Sequence, residues 1–372
     1  MTSDCNGKLS YKTFSYRIKD AGVGKSLCRM ASAVNIVWNY CNDISAKSAQ
    51  RGPRWISKEE LRALTAGSSK LLDLPSQVIQ SVTDEFLTRR RQRGQPKLRW
   101  RGRKAFGWIP LTNQDVVLAG GVAHFRGKRL RLWYHRPIEG RIKSGCLTQD
   151  ARGRWYCNLV CEIECRTEAS GGVIGVDLGL ATVATCSDGA RLERAAFYRD
   201  VEPKLAEAQR RRRRRQARTL HAKIASRRKD SLHKFSRELV ARCRVIAVGD
   251  VSSSQLSTSS LAKSIHDAGW GILRRYLRYK CDHAGVAYVD VQERGTTRIC
   301  SACSRSTGPQ GLADLGIRQW VCSSCGQLHD RDINAALNIA RLGCETLGLK
   351  GSGSSADGLG GITRMLNHFD GI

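Results

Sequence analysis

Two short cysteine pairs constrain this chain more than any other feature. Cys300-Ser-Ala-Cys303 and Cys322-Ser-Ser-Cys325 are separated by 18 residues, the spacing of a C-x₂-C…C-x₂-C zinc site. Two residues between thiolates let one tight knuckle aim both sulfurs at one ion, and two knuckles complete a tetrahedron. Four thiolates leave no open coordination position, so the expected zinc is structural. A redox C-x-x-C or four unrelated buried cysteines are the alternatives, and the doubled pair at ribbon spacing argues against both. The first residues, MTSDCNGKLSYK, lack the apolar core of a secretion signal. A reducing bacterial cytoplasm is therefore expected, with the 15 cysteines as thiols or metal ligands rather than disulfides.

Charge sets the partner class. Lys and Arg total 63 against 33 Asp and Glu, a formal net charge of +30. A folded domain with that excess is expected to neutralise a polyanion, and nucleic acid leads because phosphate contacts supply most non-specific affinity. An anionic membrane is the alternative, but no window holds the roughly 18 apolar residues of a spanning helix. The 372 residues allow two or three domains, and 41% hydrophobic residues allow a sizeable core.

The pattern changes along the chain. YKTFSYRIK (11–19) reads as a strand. Residues 25–94 read as helical, with Ser57 and Glu60 at capping-box spacing and Val78, Val82 and Phe86 on one face. RRRQRG (89–94) and Pro96 end that part. From Lys97 to about Glu164 short alternating strands follow, among them RLRLWY (129–134) and a hairpin across DARG (150–153), which suggests a small barrel or sandwich. After EASGG (168–172), a plausible linker, strands alternate with helices and imply an α/β domain with some parallel pairing. Its parts are VIGVDLGLATVATCSDGARL as two or three strands, a long basic helical region over 201–243, the buried-type strand RVIAVGDV (244–251), a helix over LAKSIHDAGWGILRRYLRYKCDHAG, the strand VAYVDVQE (286–293), and a last helix from about Asp332.

Three acids stand out. Asp177 lies inside Val173-Ile174-Gly175-Val176-Asp177-Leu178, where a carboxylate costs several kcal/mol unless paired or bound to a metal. It could instead satisfy a turn at a strand end. Asp332 opens INAALNIA, whose Ile333, Ala336, Leu337 and Ala340 form an apolar stripe. Taken alone, it or Asp330 reads as an N-cap. Two-metal phosphodiester cleavage needs several carboxylates at one point, and in an open α/β sheet such convergence occurs at the carboxyl ends of neighbouring strands. The strands to inspect end near Asp177, Asp250 and Glu293.

An Asp in IGVDLG, a later buried strand, a four-Cys ribbon and then HDRDINAALNI together resemble the split RuvC nuclease domain of the TnpB family, transposon-encoded RNA-guided nucleases from which type V CRISPR effectors descend. The resemblance covers roughly residues 10–345. It implies an α/β RNase H-like (RuvC) nuclease domain with an inserted zinc ribbon, preceded by a small β-barrel carrying a helical insertion. The implied division is 1–24 for the first barrel strand, 25–95 for the helical recognition domain and 96–170 for the rest of the barrel. The nuclease would occupy 171–298 and 329–348 around a ribbon at 299–328, with a flexible tail at 349–372. By resemblance, Asp177 matches the first catalytic Asp and Asp332 the third, with Mg²⁺ as cofactor, and Cys300, Cys303, Cys322 and Cys325 match the zinc ribbon.

The second catalytic position departs from the family pattern. Gly249, in Ala247-Val248-Gly249-Asp250, stands where a Glu is usual. One explanation moves the acid to Glu293 on the neighbouring strand, with Val289, Val291 and Glu293 on one face and Gly249 leaving room; Asp250 should face the other side of the sheet. The other is a nuclease-inactive, RNA-guided DNA-binding repressor, but Asp177 and Asp332 are both present. The family's partners would be a structured guide RNA and target DNA, with no membrane.

Two basic stretches fit such partners. LRWRGRKAFGW (98–108) interleaves Arg99, Arg101, Arg103 and Lys104 with Trp100, Phe106 and Trp108, a composition suited to a groove that tracks a backbone and stacks bases; a solvated barrel edge is the alternative. Arg210, Arg211, Arg212, Arg213, Arg214 and Arg215 read as helical, with cations pointing all around the axis, or as a solvated, self-repelling run. The histidines His266, His283 and His329 have no ligand-like spacing.

Overall fold

A computed structural model describes residues 9–19, 21–52, 54–102, 105–112, 116–165, 171–250, 268–310 and 313–349. The chain divides into two compact units, one over Leu9–Ile163 and the other formed largely by the residues from Glu164 onward.

In the first unit, β1 (Leu9–Arg17) is followed by helices α1 (Ala21–Arg51), α2 (Lys58–Thr65), α3 (Ser68–Leu72) and α4 (Ser76–Arg93). Strands β2 (Trp108–Thr112), β3 (Val116–Ala119), β4 (Val122–Phe125), β5 (Lys128–Arg131), β6 (Arg141–Gln149) and β7 (Trp155–Glu164) complete it. Helix α1 starts earlier than the expected residue 25. The capping box is present: Ser57 Oγ accepts from the Glu60 amide at 3.2 Å, and Glu60 Oε2 accepts from the Ser57 amide at 2.7 Å. Val78, Val82 and Phe86 are fully buried, as their spacing requires. The strands form two sheets, β1-β7-β6-β2 and β3-β4-β5, joined where Ile18 bridges Leu132. A closed barrel is not seen among the described residues. RLRLWY is strand only as far as Arg131, because Leu132 and Trp133 turn to meet β1. The DARG hairpin forms as expected, with Gly153 at φ 80° and Asp150 Oδ1 accepting from the Arg152 and Arg154 amides.

The second unit contains β8 (Gly172–Asp177), β9 (Thr182–Cys186), β10 (Arg191–Glu193), α5 (Glu202–Arg210), α6 (Arg214–Arg242), β11 (Cys243–Gly249), α7 (Trp270–Ala284), β12 (Ala287–Val291), β13 (Gln319–Val321), β14 (Leu328–Asp330) and α8 (Arg331–Thr346). Its five-stranded sheet runs β10-β9-β8-β11-β12, with β8, β11 and β12 parallel and the β8–β9 and β9–β10 pairs antiparallel. Strand periodicity sorts the side chains. Ile174, Val176, Ile246 and Val248 pack with Leu239 of α6 and Leu273 and Leu277 of α7. Val173, Val245, Ala247 and Val291 belong to the opposite face, where Ile339 and Ala340 of α8 cover them. Gly175 permits this close cover: a Cβ there would run into the Ala336 carbonyl of α8.

Two expected helices are interrupted. The basic region breaks at Arg212, which has φ 50° and separates α5 from α6. Helix α7 begins at Trp270, because Gly269 takes φ 69° as its N-cap. Ile265 and His266, the loop from 251, and the tail from 350 lie outside the described residues. No described helix is long and apolar enough to cross a membrane.

Candidate metal and nucleic-acid sites

The parallel strands bring the predicted acids to one edge. Asp177 ends β8 and Gly249 ends β11, and their register places them side by side, one step past the Val176–Val248 pair. Glu293 lies two residues beyond the end of β12, whose Val291 pairs with Gly249. Period two puts Asp177, Gly249 and Glu293 on the sheet face covered by α8. A Cβ built on Gly249 would come within 2.6 Å of Glu293 Oε2 and 3.1 Å of Ile339 Cδ1. The space a side chain at 249 would fill is therefore occupied by the Glu293 carboxylate.

Glu293 and Asp332 both act on Asp177 through their charge. Burial first, and then the charges of Glu293 and Asp332, push the Asp177 carboxyl up to about 8, with Arg331 opposing. Burial and the Asp250 charge push Glu293 up to about 7, with Arg274 opposing. Glu293 Oε2 is buried without a hydrogen-bond partner among the described residues, an unusual state for a carboxylate oxygen. Asp250 is exposed and accepts from the Glu293 amide at 3.3 Å, a supporting contact. Arg274 donates to the Gly249 carbonyl and lies 3.7 Å from Asp290. The carboxylates are nevertheless not tightly gathered. Among the described residues, the cysteines alone place three or more candidate ligand atoms within 4.8 Å of one another.

The N-terminus of α8 assigns different roles to its two acids. Asp330 is the N-cap and accepts from the amides of Asp332 and Ile333, both at 3.0 Å, while pairing with Arg191 at 2.8 Å. Asp332 is thereby free of the capping role, and it pairs with the half-exposed Arg318 at 3.4 Å.

Cys300, Cys303, Cys322 and Cys325 meet as their spacing requires, with all four sulfurs within 4.8 Å. Four soft thiolate donors in this arrangement fit zinc. Their surroundings include residues that spacing did not flag. His329 Nε2 lies 3.0 Å from Cys300 Sγ, and its ring lies tilted against Trp320 with centroids 4.7 Å apart. Thr307 Oγ1 lies 3.1 Å from Cys322 Sγ and chiefly accounts for that thiol being lowered to about 6. Strand β14 carries His329 and ends in Asp330, so one short segment is both ribbon strand and helix cap.

The basic stretches divide. Extended residues 96–101 are laid along α1 by a polar row: Ser45 Oγ donates to the Pro96 carbonyl at 2.7 Å, Asn42 brackets Leu98, and Asn39 brackets Arg101. Arg99 and Trp100 are thereby left exposed, Trp100 by 58%. Arg101 is committed inward: it donates to Asn35 Oδ1 at 2.6 Å and lies 5.6 Å and 5.4 Å from the Trp38 and Trp108 rings. Arg103 and Lys104 lie outside the described residues. Arg210 to Arg215 do not share one helix, because Arg211 to Arg213 form a corner; all six are exposed.

Comparison with known proteins bears on the family of the chain. Residues 270–339 match the family described as Cas12f1-like, TNB domain, and residues 158–260 match the family described as Probable transposase. A protein of Streptomyces pristinaespiralis, provisionally named an RNA-guided DNA endonuclease, is 30% identical over 78% of this chain and 75% of its own length. The similarly named InsQ of Escherichia coli strain K12 is 29% identical over 56% of this chain and 58% of its length. The CRISPR-associated endodeoxyribonuclease Cas12f1 of Sulfoacidibacillus thermotolerans is 24% identical over 55% of this chain and 56% of its own. A solved Cas12f1–sgRNA–target DNA complex aligns over 89% of this chain at 12% identity with a TM-score of 0.37, too low to argue a shared fold. Proteins called TnpB-like, from Acanthamoeba polyphaga mimivirus, are also similar, at 31% identity over 38% of this chain and 28% of their own length. At 30% identity over three quarters of the Streptomyces relative, the chain belongs to the TnpB family of RNA-guided DNA endonucleases.

Proposed function

We propose that this protein cleaves DNA under the direction of a guide RNA, and that Asp177, Glu293 and Asp332 hold the divalent cations, magnesium in the cell, on which cleavage depends. The observation that carries the reading is the buried, unpartnered Glu293 Oε2 in the space that Gly249 leaves open beside Asp177. The donor set is carboxylate oxygen, the chemistry that hard divalent cations prefer. With cations bound, such a site activates water and stabilises the leaving oxygen of a phosphodiester. The chain's own contribution is placement. The parallel register sets Asp177 against Gly249, the reach from β12 brings Glu293 alongside, and the Asp330 cap leaves Asp332 free to face them. In this reading the five-stranded sheet and α8 form the RNase H-like (RuvC) domain, and zinc on the four cysteines fixes the segment that leads into α8.

Base pairing would read the target sequence while the protein grips backbone. Arg99, Trp100 and the exposed corner Arg210 to Arg215 supply that grip. Arg101 is withdrawn from it, because its guanidinium is already engaged within the fold. A nuclease-inactive repressor would have no use for a buried Asp177 repelled by both Glu293 and Asp332.

The test is to sequence the RNA that co-purifies with the protein, then incubate the complex with matching DNA and Mg²⁺. Cleavage is expected with wild type and absent with Asp177→Ala. Equal DNA binding with no cleavage by either protein would overturn the nuclease and leave the repressor.

A further inference from the structure

We propose that Asn334 and Asn338 are positioning residues that clamp the segment between Glu293 and Cys300 onto α8, so that the zinc ribbon and the carboxylate site are held as one piece. The proposal rests on the reading above that Glu293 and Asp332 hold divalent cations.

The two amides lie one helical turn apart, and each is 1% exposed. Asn334 Nδ2 donates to the Thr296 carbonyl at 3.2 Å and to the Ile299 carbonyl at 2.8 Å. Asn338 Nδ2 donates to the same two carbonyls at 2.9 Å and 2.7 Å. An amide nitrogen has two hydrogens and a carbonyl oxygen two lone pairs, so these four bonds form a closed square with no capacity left over. Asn334 Oδ1 adds a fifth bond by accepting from the Ser301 amide at 2.8 Å. Irregular backbone under cover must find such partners, and here both come from one helix.

What the square joins gives it a function beyond stability. Thr296 reaches back to Glu293, whose carbonyl accepts from the Thr296 amide at 3.1 Å and from its hydroxyl at 2.8 Å. Ile299 precedes Cys300, the first zinc ligand. The helix that carries both asparagines begins at Arg331, so Asp332 lies in its first turn. A hydrogen-bonded path therefore runs from Glu293 through Thr296 to α8 and on to Asp332, and it shares its anchor with the ribbon. Two carboxyls carried on separate backbone segments, both acting on Asp177, need those segments fixed relative to each other, and the asparagines supply that fixing.

Asn338→Ala removes two of the four bonds. Zinc content and melting temperature are measured, with Mn²⁺ binding to the zinc-loaded protein by calorimetry and the Mg²⁺ dependence of cleavage. One zinc per chain is expected to remain, while the Mn²⁺ dissociation constant rises about tenfold or more, within the range for partners that orient ligands. The Mg²⁺ concentration for half-maximal cleavage rises in parallel, and the rate at saturating Mg²⁺ changes much less. If Asn338→Ala fails to fold, Thr296→Val, which removes only the hydroxyl bond to Glu293, should show the same split in smaller measure. A lowered melting temperature with unchanged Mn²⁺ binding would overturn the clamp, as would loss of zinc with Mn²⁺ binding retained. Failure of the underlying reading looks different: Glu293→Ala would then bind Mn²⁺ as well as wild type does.

Discussion

The four cysteines and the three acids bring like side chains toward one another in opposite ways. The cysteines come from two adjacent knuckles, and their sulfurs already lie within 4.8 Å of one another. The acids come from β8, the end of β12 and the start of α8, and they are coupled in charge without gathering that closely. The chain path accounts for the difference. Each knuckle brings two sulfurs together across two residues, with His329 and Thr307 beside them, whereas the acids come near one another only through strand and helix register, and like charges resist closer approach. The thiol site is organised by local sequence and the acid site by the sheet.

The largest expected effect breaks the acid side of this comparison. Glu293→Ala should reduce cleavage about a thousandfold, the loss of several kcal/mol of transition-state stabilisation. Because a Cβ at 249 would meet Glu293 Oε2 at 2.6 Å, Gly249→Glu alone should also be damaging. The double variant Gly249→Glu/Glu293→Ala moves the carboxylate back to β11 and should recover part of the lost rate. If Glu293→Ala cleaves like wild type, Glu293 is a surface acid at a strand end and the acid site must be redrawn.

The second effect tests whether the ribbon serves the acids. Cys325→Ser should lose zinc, speed amide exchange over the segment from Glu293 to Asp332, and lower cleavage about 10- to 100-fold with little rescue by extra Mg²⁺. A zinc-free variant with wild-type cleavage and unchanged Mg²⁺ dependence would make the two sites independent.

The sites differ in legibility for the same reason that they differ in construction. A zinc knuckle leaves about two to four residues between its two thiols, so the cysteine pairs could be read directly. Asp177 was visible as a charge in an apolar run, and Glu293 became visible once Gly249 vacated the usual position. Long-range contacts left no local mark. Arg101 looks like its basic neighbours, and only the approach of Asn35, Trp38 and Trp108 withdraws it. Asn334 and Asn338 are two polar positions beside an apolar stripe, spaced i, i+4, a signal that could have been noticed but names no partner. His329 lacks ligand spacing, and its approach to Cys300 Sγ comes from strand β14 rather than from a knuckle. Six identical arginines carry no periodicity, so the turn at Arg212 could not be placed.

The third effect is thermodynamic. Asp177 is raised from its ordinary 3.8 to about 8, and Glu293 from 4.5 to about 7. Between those limits the folded chain holds protons that the unfolded chain has released, so their contribution to stability is complete below about pH 4 and is lost as pH rises toward 8. The melting temperature of Mg²⁺-free protein should therefore fall by about 3 °C or more between about pH 5 and pH 8.5. Saturating Mg²⁺ should restore more at the higher pH, and Asp177→Asn should flatten both responses. A profile with no slope, together with no gain from Mg²⁺, would mean that the acids do not strain the fold and that the contrast with the thiols is empty.

The smallest effect lies where the two regions touch. Arg318 precedes β13 of the ribbon and holds Asp332 at 3.4 Å. On the proposed reading this cation would compete with a divalent ion for the same oxygen, but it is 54% exposed, and exposed pairs contribute about 1 kcal/mol or less. Arg318→Gln should therefore tighten Mn²⁺ binding by no more than about fivefold at low salt, and the gain should fade as salt screens the pair. Weaker binding in the variant would reverse the assignment: Arg318 would then hold the Asp332 side chain in its working orientation, and the ribbon would support the acids through a charge as well as through the backbone.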